Sequence, residues 1–287
     1  MRDVIVIGKG PAGLSAAIYL KRANLDVLVV GKDLGSLEKA ESIENYFGFA
    51  TPIPGTDLLE QGFEQAKRLG VDILTEEVVG IRQDENFVVQ TTTEELEATA
   101  VLIATGKSRA GLKVKGFETL SGKGISFCAV CDGFFYRGKK LAVIGSGDYA
   151  ASEILDLHHY TQDITLFTNG AEIKTNKLPD NQQIVTGKIL EITGEDRVAS
   201  ILTDQGDYPV DGIFVAMGTA SATDFASKIG ALTGGGNLIV DGNMMTTVEG
   251  VFAAGDCVGG FLQVAKAVSD GAAASKSIVK YVKEHKK

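Results

Sequence analysis

The sequence has no apolar run that approaches the length of a membrane span. Its first strand-like run, Val4-Ile5-Val6-Ile7, starts almost at Met1 and leaves no room for a signal peptide. The expected location is therefore the cytoplasm. Tryptophan and low-complexity segments are absent, and positive charge is not in excess. The net charge of −9 argues against nucleic acid as the partner. Cysteine is scarce, with three residues. In a cytosolic chain three thiols argue against a structural disulfide framework and for redox or metal chemistry. The metal reading needs two ligands besides Cys128 and Cys131. The candidates Cys257, His158, His159 and His285 stand at no standard zinc spacing from the pair, so no metal site is expected. Cys257 reads as a small buried hydrophobe rather than a reactive thiol.

Glycine is abundant instead, with 35 residues, and without a collagen period that implies many tight turns and close backbone approaches. A hydrophobic content of 44% and a charged content of 23% are those of a globular protein. The 287 residues suit two domains with real cores.

Residues 3–7 read as a buried strand. Gly8-Lys9-Gly10-Pro11-Ala12-Gly13 follows at once, then a helix over 14–22 and a strand over 27–30. This is the first βαβ unit of a dinucleotide-binding fold. Gly8 allows the tight turn, Gly10 lets the backbone approach a pyrophosphate, and Gly13 lets helix and strand pack closely. The pyrophosphate then meets the positive end of the helix. About 20 residues on, an acid often holds a ribose hydroxyl. Here the chain has Gly31-Lys32-Asp33, so that acid is missing or replaced by Asp33.

An amphipathic helix over 57–69 and an antiparallel meander over 78–82, 87–91 and 96–103 lead to Ala104-Thr105-Gly106. A second unit begins with a strand over 140–144. The turn Gly145-Ser146-Gly147-Asp148-Tyr149-Ala150 follows, then a helix to about 160 and a strand over 164–167. Further strands are expected over 213–216, 238–240 and 251–254, and a closing helix over 262–283. The fold class is α/β, with two Rossmann-like dinucleotide-binding domains.

Between the two units lies Cys128-Ala129-Val130-Cys131-Asp132-Gly133. A CxxC pair can cycle between dithiol and disulfide. Residues 105–140 around it carry eight basic side chains against Glu118 and Asp132, a net +6, which leaves −15 on the remainder. Such a basic segment would suit an acidic protein partner.

In order and spacing, the Gly8, Ala104-Thr105-Gly106, Cys128–Cys131–Asp132, Gly145 and Gly255-Asp256 motifs resemble the low-molecular-weight flavoprotein thioredoxin reductases across essentially the whole chain. Ile43-Glu44-Asn45-Tyr46-Phe47-Gly48-Phe49 and Gln263-Val264 also resemble that family's flavin-site segments. The resemblance implies an FAD domain made from 1–112 and 245–287, a pyridine-nucleotide-type domain at 113–244 carrying the CxxC, and a homodimer. It implies that Gly10, Pro11 and Ala12 hold the FAD pyrophosphate and that Asn45 lies near the flavin end. Asp256 would bind the ribityl hydroxyls, and Gln263 and Val264 would line the isoalloxazine. Gly8, Gly13, Gly31, Lys32, Gly35, Ser36, Thr105, Gly106 and Gly255 complete the implied cofactor site. Cys131 is the implied cysteine nearer the flavin, Cys128 the one that attacks the disulfide of thioredoxin, and Asp132 the acid that exchanges protons with the pair.

The sequence departs from the family at the residues that grip NADPH. After the second dinucleotide strand the family has a His-Arg-Arg run and a further Arg; this chain has Leu166-Phe167-Thr168-Asn169-Gly170, with Lys174 near the last position. Leu262 stands where the family has Arg before Gln263. A 2′-phosphate there would lack its charge-assisted partners. NADH fares no better, because residues 165–170 offer no ribose-binding acid and Glu172 is remote. The second glycine turn then reads as a relic that shapes the fold. This pattern resembles the ferredoxin-dependent flavin thioredoxin reductases, in which a flavin converts single electrons to pairs. Three other readings remain open. They are an NAD(P)H-dependent reductase with an atypical nucleotide site, a dithiol oxidase using oxygen, and a non-catalytic flavin redox sensor.

Overall fold

The structure is a computed structural model that describes residues 1–107, 112–127 and 129–285. The chain divides into two compact units. One combines Met1–Ser108 with Ser221–Lys287, and the other is Arg109–Ala220.

In chain order the first unit opens with β1 (Arg2–Ile7), α1 (Pro11–Arg22), β2 (Val27–Val30), α2 (Gly55–Arg68), β3 (Asp72–Leu74), β4 (Val78–Gln83), β5 (Phe87–Thr91) and β6 (Glu95–Ile103). The second unit follows with α3 (Phe117–Leu120), β7 (Ile125–Ser126), α4 (Ala129–Asp132), β8 (Leu141–Ile144), α5 (Asp148–Leu157), β9 (Ile164–Phe167), β10 (Gln183–Val185), β11 (Ile189–Thr193), β12 (Ser200–Thr203), β13 (Gly206–Pro209) and β14 (Gly212–Val215). The first unit resumes with α6 (Ala222–Lys228), β15 (Thr233–Gly234), β16 (Asn237–Leu238), β17 (Val251–Ala253) and α7 (Val264–His285).

In the first unit β3, β2, β1 and β6 run parallel in that order, and β17 pairs with β6. The antiparallel meander expected over 78–103 is present as β4, β5 and β6. All four residues of β2 and five of the six in β1 are buried, which is why these strands read as continuous apolar runs. α7 buries Ala267, Gly271, Ala274, Ile278 and Val282, a stripe at helical spacing. It packs tightly on α1 at Gly271, where a Cβ would run into the Ala12 carbonyl oxygen. The Ser15 hydroxyl donates to the Val268 carbonyl at 2.8 Å and ties the two helices together.

The second unit repeats the plan. Its parallel sheet has the order β10-β9-β8-β14-β7, and β11-β12-β13 form a separate antiparallel sheet. Both units are Rossmann-like.

The chain returns to the first unit at Ser221, earlier than the boundary expected at 244. Hydrogen bonds explain the shift. The Lys228 ammonium donates to the Val79 carbonyl at 3.2 Å, and the Leu232 amide donates to the Thr247 hydroxyl at 2.9 Å. A sequence pattern read locally does not show these pairings, which join residues far apart in the chain. The strand expected over 238–240 shortens to Asn237–Leu238.

Candidate functional site

Four parallel strands of the first unit end in register. Ile7 pairs with Val30 and with Ile103, and Ile103 pairs with Ala253. The segments that leave these ends are therefore neighbours: Gly8 to Gly13, Gly31 and Lys32, Thr105 and Gly106, and Gly255 and Asp256. This is the carboxyl edge of a parallel sheet, where α/β folds bind ligands.

The glycines divide by environment. A Cβ on Gly8, which has φ +113°, would strike the Ala104 carbonyl, and one on Gly13 would strike the Gly8 carbonyl. Around Gly10 nothing lies within 4 Å of the Cβ position. Gly8 and Gly13 thus serve packing, while Gly10 presents bare backbone at the start of α1. Pro11 occupies the first helical turn, where no amide partner is needed.

Gly31 packs over this turn, its Cβ position 3.2 Å from the Lys9 amide nitrogen. Lys32 forms an ion pair with the buried Glu77. The Asp33 carboxylate accepts from the Gly35 amide at 2.9 Å, at the start of the 3₁₀ turn Gly35–Lys39 that includes Ser36. The Asn45 side chain donates to the Gln263 side chain at 2.9 Å, joining two segments that are 218 residues apart. Val264 is the first residue of α7.

Two lysines went unremarked in the sequence. Lys266 donates to the carbonyls of Gly255 at 3.0 Å and Gly259 at 2.6 Å, and pairs with Asp270 at 2.7 Å. It clasps the loop that carries Asp256. Lys9 is buried, although it sits inside a glycine motif.

In the second unit, β7 leads towards the cysteine pair. Cys128 lies outside the described residues. α4 carries Ala129 to Asp132. The buried Glu153 of α5 accepts from the Ala129 amide at 2.8 Å. The Ser126 hydroxyl donates to the Asp132 carboxylate at 2.6 Å. The Ala129 backbone and the Asp132 side chain are thus held by side chains from α5 and β7. Glu153 and Ser126 escaped the sequence reading because their partners are set only by the fold.

Phe127, Phe134 and Phe135 are exposed, and the Arg137 guanidinium lies 5.3 Å over the Phe134 ring. The basic segment is less cationic than its composition. Lys115 pairs with Glu191 at 2.8 Å, and Lys139 lies 3.9 Å from Asp211.

The second glycine turn divides its glycines between packing and open backbone as the first does, although Gly145, unlike Gly8, does not have a positive φ. A Cβ on Gly145 would strike the Ala216 carbonyl, and Gly147 faces open space apart from Gly218 O at 3.9 Å. At the end of β9, Thr168 is buried and the Asn169 side chain accepts from the Ile189 amide at 2.8 Å. The Lys174 amide donates to the Ser146 carbonyl at 2.7 Å, tying the segment beyond β9 to the turn. Lys188 reaches the same place from the β10–β11 connection: its Cγ is 3.2 Å from the Cβ position of Gly170.

Cys257 is buried, and its thiol donates to the carbonyls of Ile103 at 3.4 Å and Ala254 at 3.2 Å. Burial pushes the thiol up to about 12. In the reduced native protein Cys257 is therefore expected to resist a thiol alkylator and to react only after denaturation; peptide mass mapping reads the outcome. The sign for stability follows. The unfolded chain ionises this thiol from 9.0, so the stabilisation is complete below that pH and is lost as pH rises towards about 12.

Two Rossmann-like units, each edged by a glycine turn and the second carrying a CxxC followed in sequence by Asp132, point to a disulfide oxidoreductase. The family model for pyridine nucleotide-disulphide oxidoreductases matches residues 2–271, and the chain belongs to that family. It is 32% identical over 304 residues to the thioredoxin reductase of Bacillus subtilis (strain 168), covering 98% of this chain and 95% of that one. Among solved structures it is similar to the atypical thioredoxin reductase TRi from Desulfovibrio vulgaris Hildenborough, with TM-score 0.94, 36% identity and 99% of both chains covered. It is also similar to a ferredoxin-flavin thioredoxin reductase from Clostridium acetobutylicum, with TM-score 0.76, 30% identity, 100% of this chain and 99% of that one.

These proteins are FAD flavoproteins, and FAD is the cofactor of this chain. The first unit fits it. Gly10 leaves bare backbone at a helix N-terminus, as a pyrophosphate requires. The Thr105 hydroxyl is buried at the same edge and has no hydrogen-bond partner among the described residues.

Proposed function

We propose that the chain is a flavin-dependent thioredoxin reductase, acting as a cytoplasmic homodimer, whose electron donor is reduced ferredoxin rather than NADPH. The observation that carries the donor reading is the end of β9. Thr168 is buried, Asn169 is occupied by the Ile189 amide, and neither offers a charge to a phosphate monoester. Lys174, tied to Ser146 by its backbone amide, offers an exposed ammonium, a point charge without the bidentate fork of an arginine.

Gly10, Pro11, Ala12, Thr105 and Asp256 hold the FAD, with Asn45 and Gln263 at the flavin end. When bound, FAD accepts electrons singly and delivers them in pairs. Reducing the Cys128–Cys131 disulfide takes two electrons and two protons and yields two thiols. The Cys128 thiolate then attacks the disulfide of thioredoxin and forms a mixed disulfide, expelling a thiolate on thioredoxin. Cys131 attacks Cys128 in turn, restores the enzyme disulfide and releases dithiol thioredoxin. Asp132, fixed by Ser126, takes and returns the proton. The exposed Phe127, Phe134 and Phe135, with Arg137, offer a protein partner apolar contact beside the pair.

A second reading, an NAD(P)H-dependent reductase, is favoured by two exposed cations near the second turn, Lys188 lying on Gly170 and Lys174 tied by its backbone to Ser146. Point charges of this kind do not replace a bidentate arginine pair. The test is anaerobic mixing of the oxidised protein with NADPH, NADH and reduced ferredoxin in turn. Reduced ferredoxin is expected to bleach the flavin absorbance within the mixing experiment, and both nicotinamides are expected to leave it unchanged. Rapid bleaching by NADPH would refute the donor assignment and favour the Lys188 reading.

A further inference from the structure

The carboxyl edge of the first sheet holds a cation that the electron path does not use. Lys9 stands between the first two glycines of the turn and is only 7% exposed. Its stem crosses the end of β2, where Gly31 has no side chain to obstruct it; a Cβ there would lie 3.2 Å from the Lys9 Cγ. The ammonium ends 3.1 Å from the hydroxyl of Thr75, one residue beyond β3. That hydroxyl is its one hydrogen-bond acceptor among the described residues. An ammonium carries three donors, so two have no partner among the described residues, on a side chain of a residue only 7% exposed. Burial pushes the Lys9 ammonium below the ordinary lysine range, and the negative charge of Asp33 offsets part of this. Lys32 is no substitute, because Glu77 holds it.

The place indicates the ligand chemistry. β2 and β3 end side by side, with Val30 opposite Leu74. In a dinucleotide site the acid that accepts from the adenosine ribose hydroxyls stands about 20 residues beyond the glycine turn. Here that stretch is Gly31-Lys32-Asp33, in which the Asp33 carboxylate already accepts from the Gly35 amide, and a buried donor lies across Gly31. A ribose hydroxyl accepts as readily as it donates.

We infer that Lys9 binds the adenosine ribose of FAD, its ammonium donating to the ribose hydroxyl oxygens in place of a carboxylate that would accept from them. The inference rests on the assignment of FAD to the first unit, and it makes Lys9 a binding residue rather than a catalytic one.

The test uses the full chain freed of flavin and titrated with FAD, ADP and 2′,3′-dideoxy-ADP. The wild-type protein is expected to rebind FAD and to prefer ADP over the dideoxy nucleotide by about tenfold or more, the scale of a charged hydrogen bond. Lys9→Met, or Lys9→Gln should the first variant not fold, is expected to bind ADP more weakly and to lose that preference. A purely structural lysine would weaken both nucleotides equally and leave the ratio intact. An equal affinity of the wild type for both nucleotides overturns the inference, as does a ratio unchanged in a folded variant. Failure of the wild type to rebind FAD would instead overturn the assignment of the first site, and the role of Lys9 with it.

Discussion

Cys128→Ser is expected to reduce thioredoxin turnover to background while leaving a full complement of bound FAD. The loss should be nearly total because a cysteine pair acts as a unit: with either sulfur gone there is no disulfide to reduce and no thiol to resolve the mixed disulfide. Cys131→Ser should therefore be as inactive, and the double variant no worse than either. Flavin retention follows from the division of the chain. The proposed cofactor residues belong to the unit formed by Met1–Ser108 and Ser221–Lys287, and the pair belongs to Arg109–Ala220. The measurement is thioredoxin-coupled disulfide reduction alongside the flavin absorbance of the same sample. Activity persisting in either single variant would remove the CxxC from the mechanism.

Gly13→Ala carries the second large effect, through the cofactor rather than the thiols. The new methyl would collide with the Gly8 carbonyl, and a further contact of 3.1 Å would arise with the Val6 side chain. Neither neighbour can yield cheaply. Gly8 is backbone, itself pressed on Ala104, and Val6 is a fully buried strand residue. α1 must then move away from β1, and the start of the helix moves with it. Overpacking of this kind costs on the order of 3 kcal/mol, and it disturbs the site where the pyrophosphate is held. The expected result is protein purified largely without flavin and melting well below the wild type. Gly10→Ala is the contrast: nothing lies within 4 Å of its Cβ position, so the fold should survive while FAD binding weakens. Normal flavin content and melting in Gly13→Ala would show that the turn is looser than its contacts imply.

The pattern of the chain explains which features could be read early. Both glycine turns, the parallel strands beside them and the antiparallel meander are written in stretches of ten to thirty residues, where periodicity and turn chemistry act directly on the backbone. Gly8 and Gly13 are needed because adjoining backbone leaves no room for a Cβ, and the motif alone announces that. The absence of cations from the short run Leu166 to Gly170 was equally visible.

Other features depended on residues brought from far along the chain. The basic character of residues 105–140 is reduced by Glu191 and Asp211, which composition of the segment cannot include. Lys188 reaches Gly170 from another strand connection. Glu153 caps α4 from a helix 24 residues away, and Lys228 and Thr247 bind residues 221–244 into the first unit, where the resemblance had implied the second. Lys9 is the sharpest case: in sequence it is one unremarked residue of a glycine turn, and in the fold it is buried across the ends of two strands. The sequence by itself determined the two dinucleotide-type units, the CxxC and its acid, because these rest on local backbone geometry and on residue identity. Only the tertiary structure decided which charges are neutralised, which are buried and which donors remain for a ligand, because pairing and desolvation depend on neighbours that the chain order does not reveal.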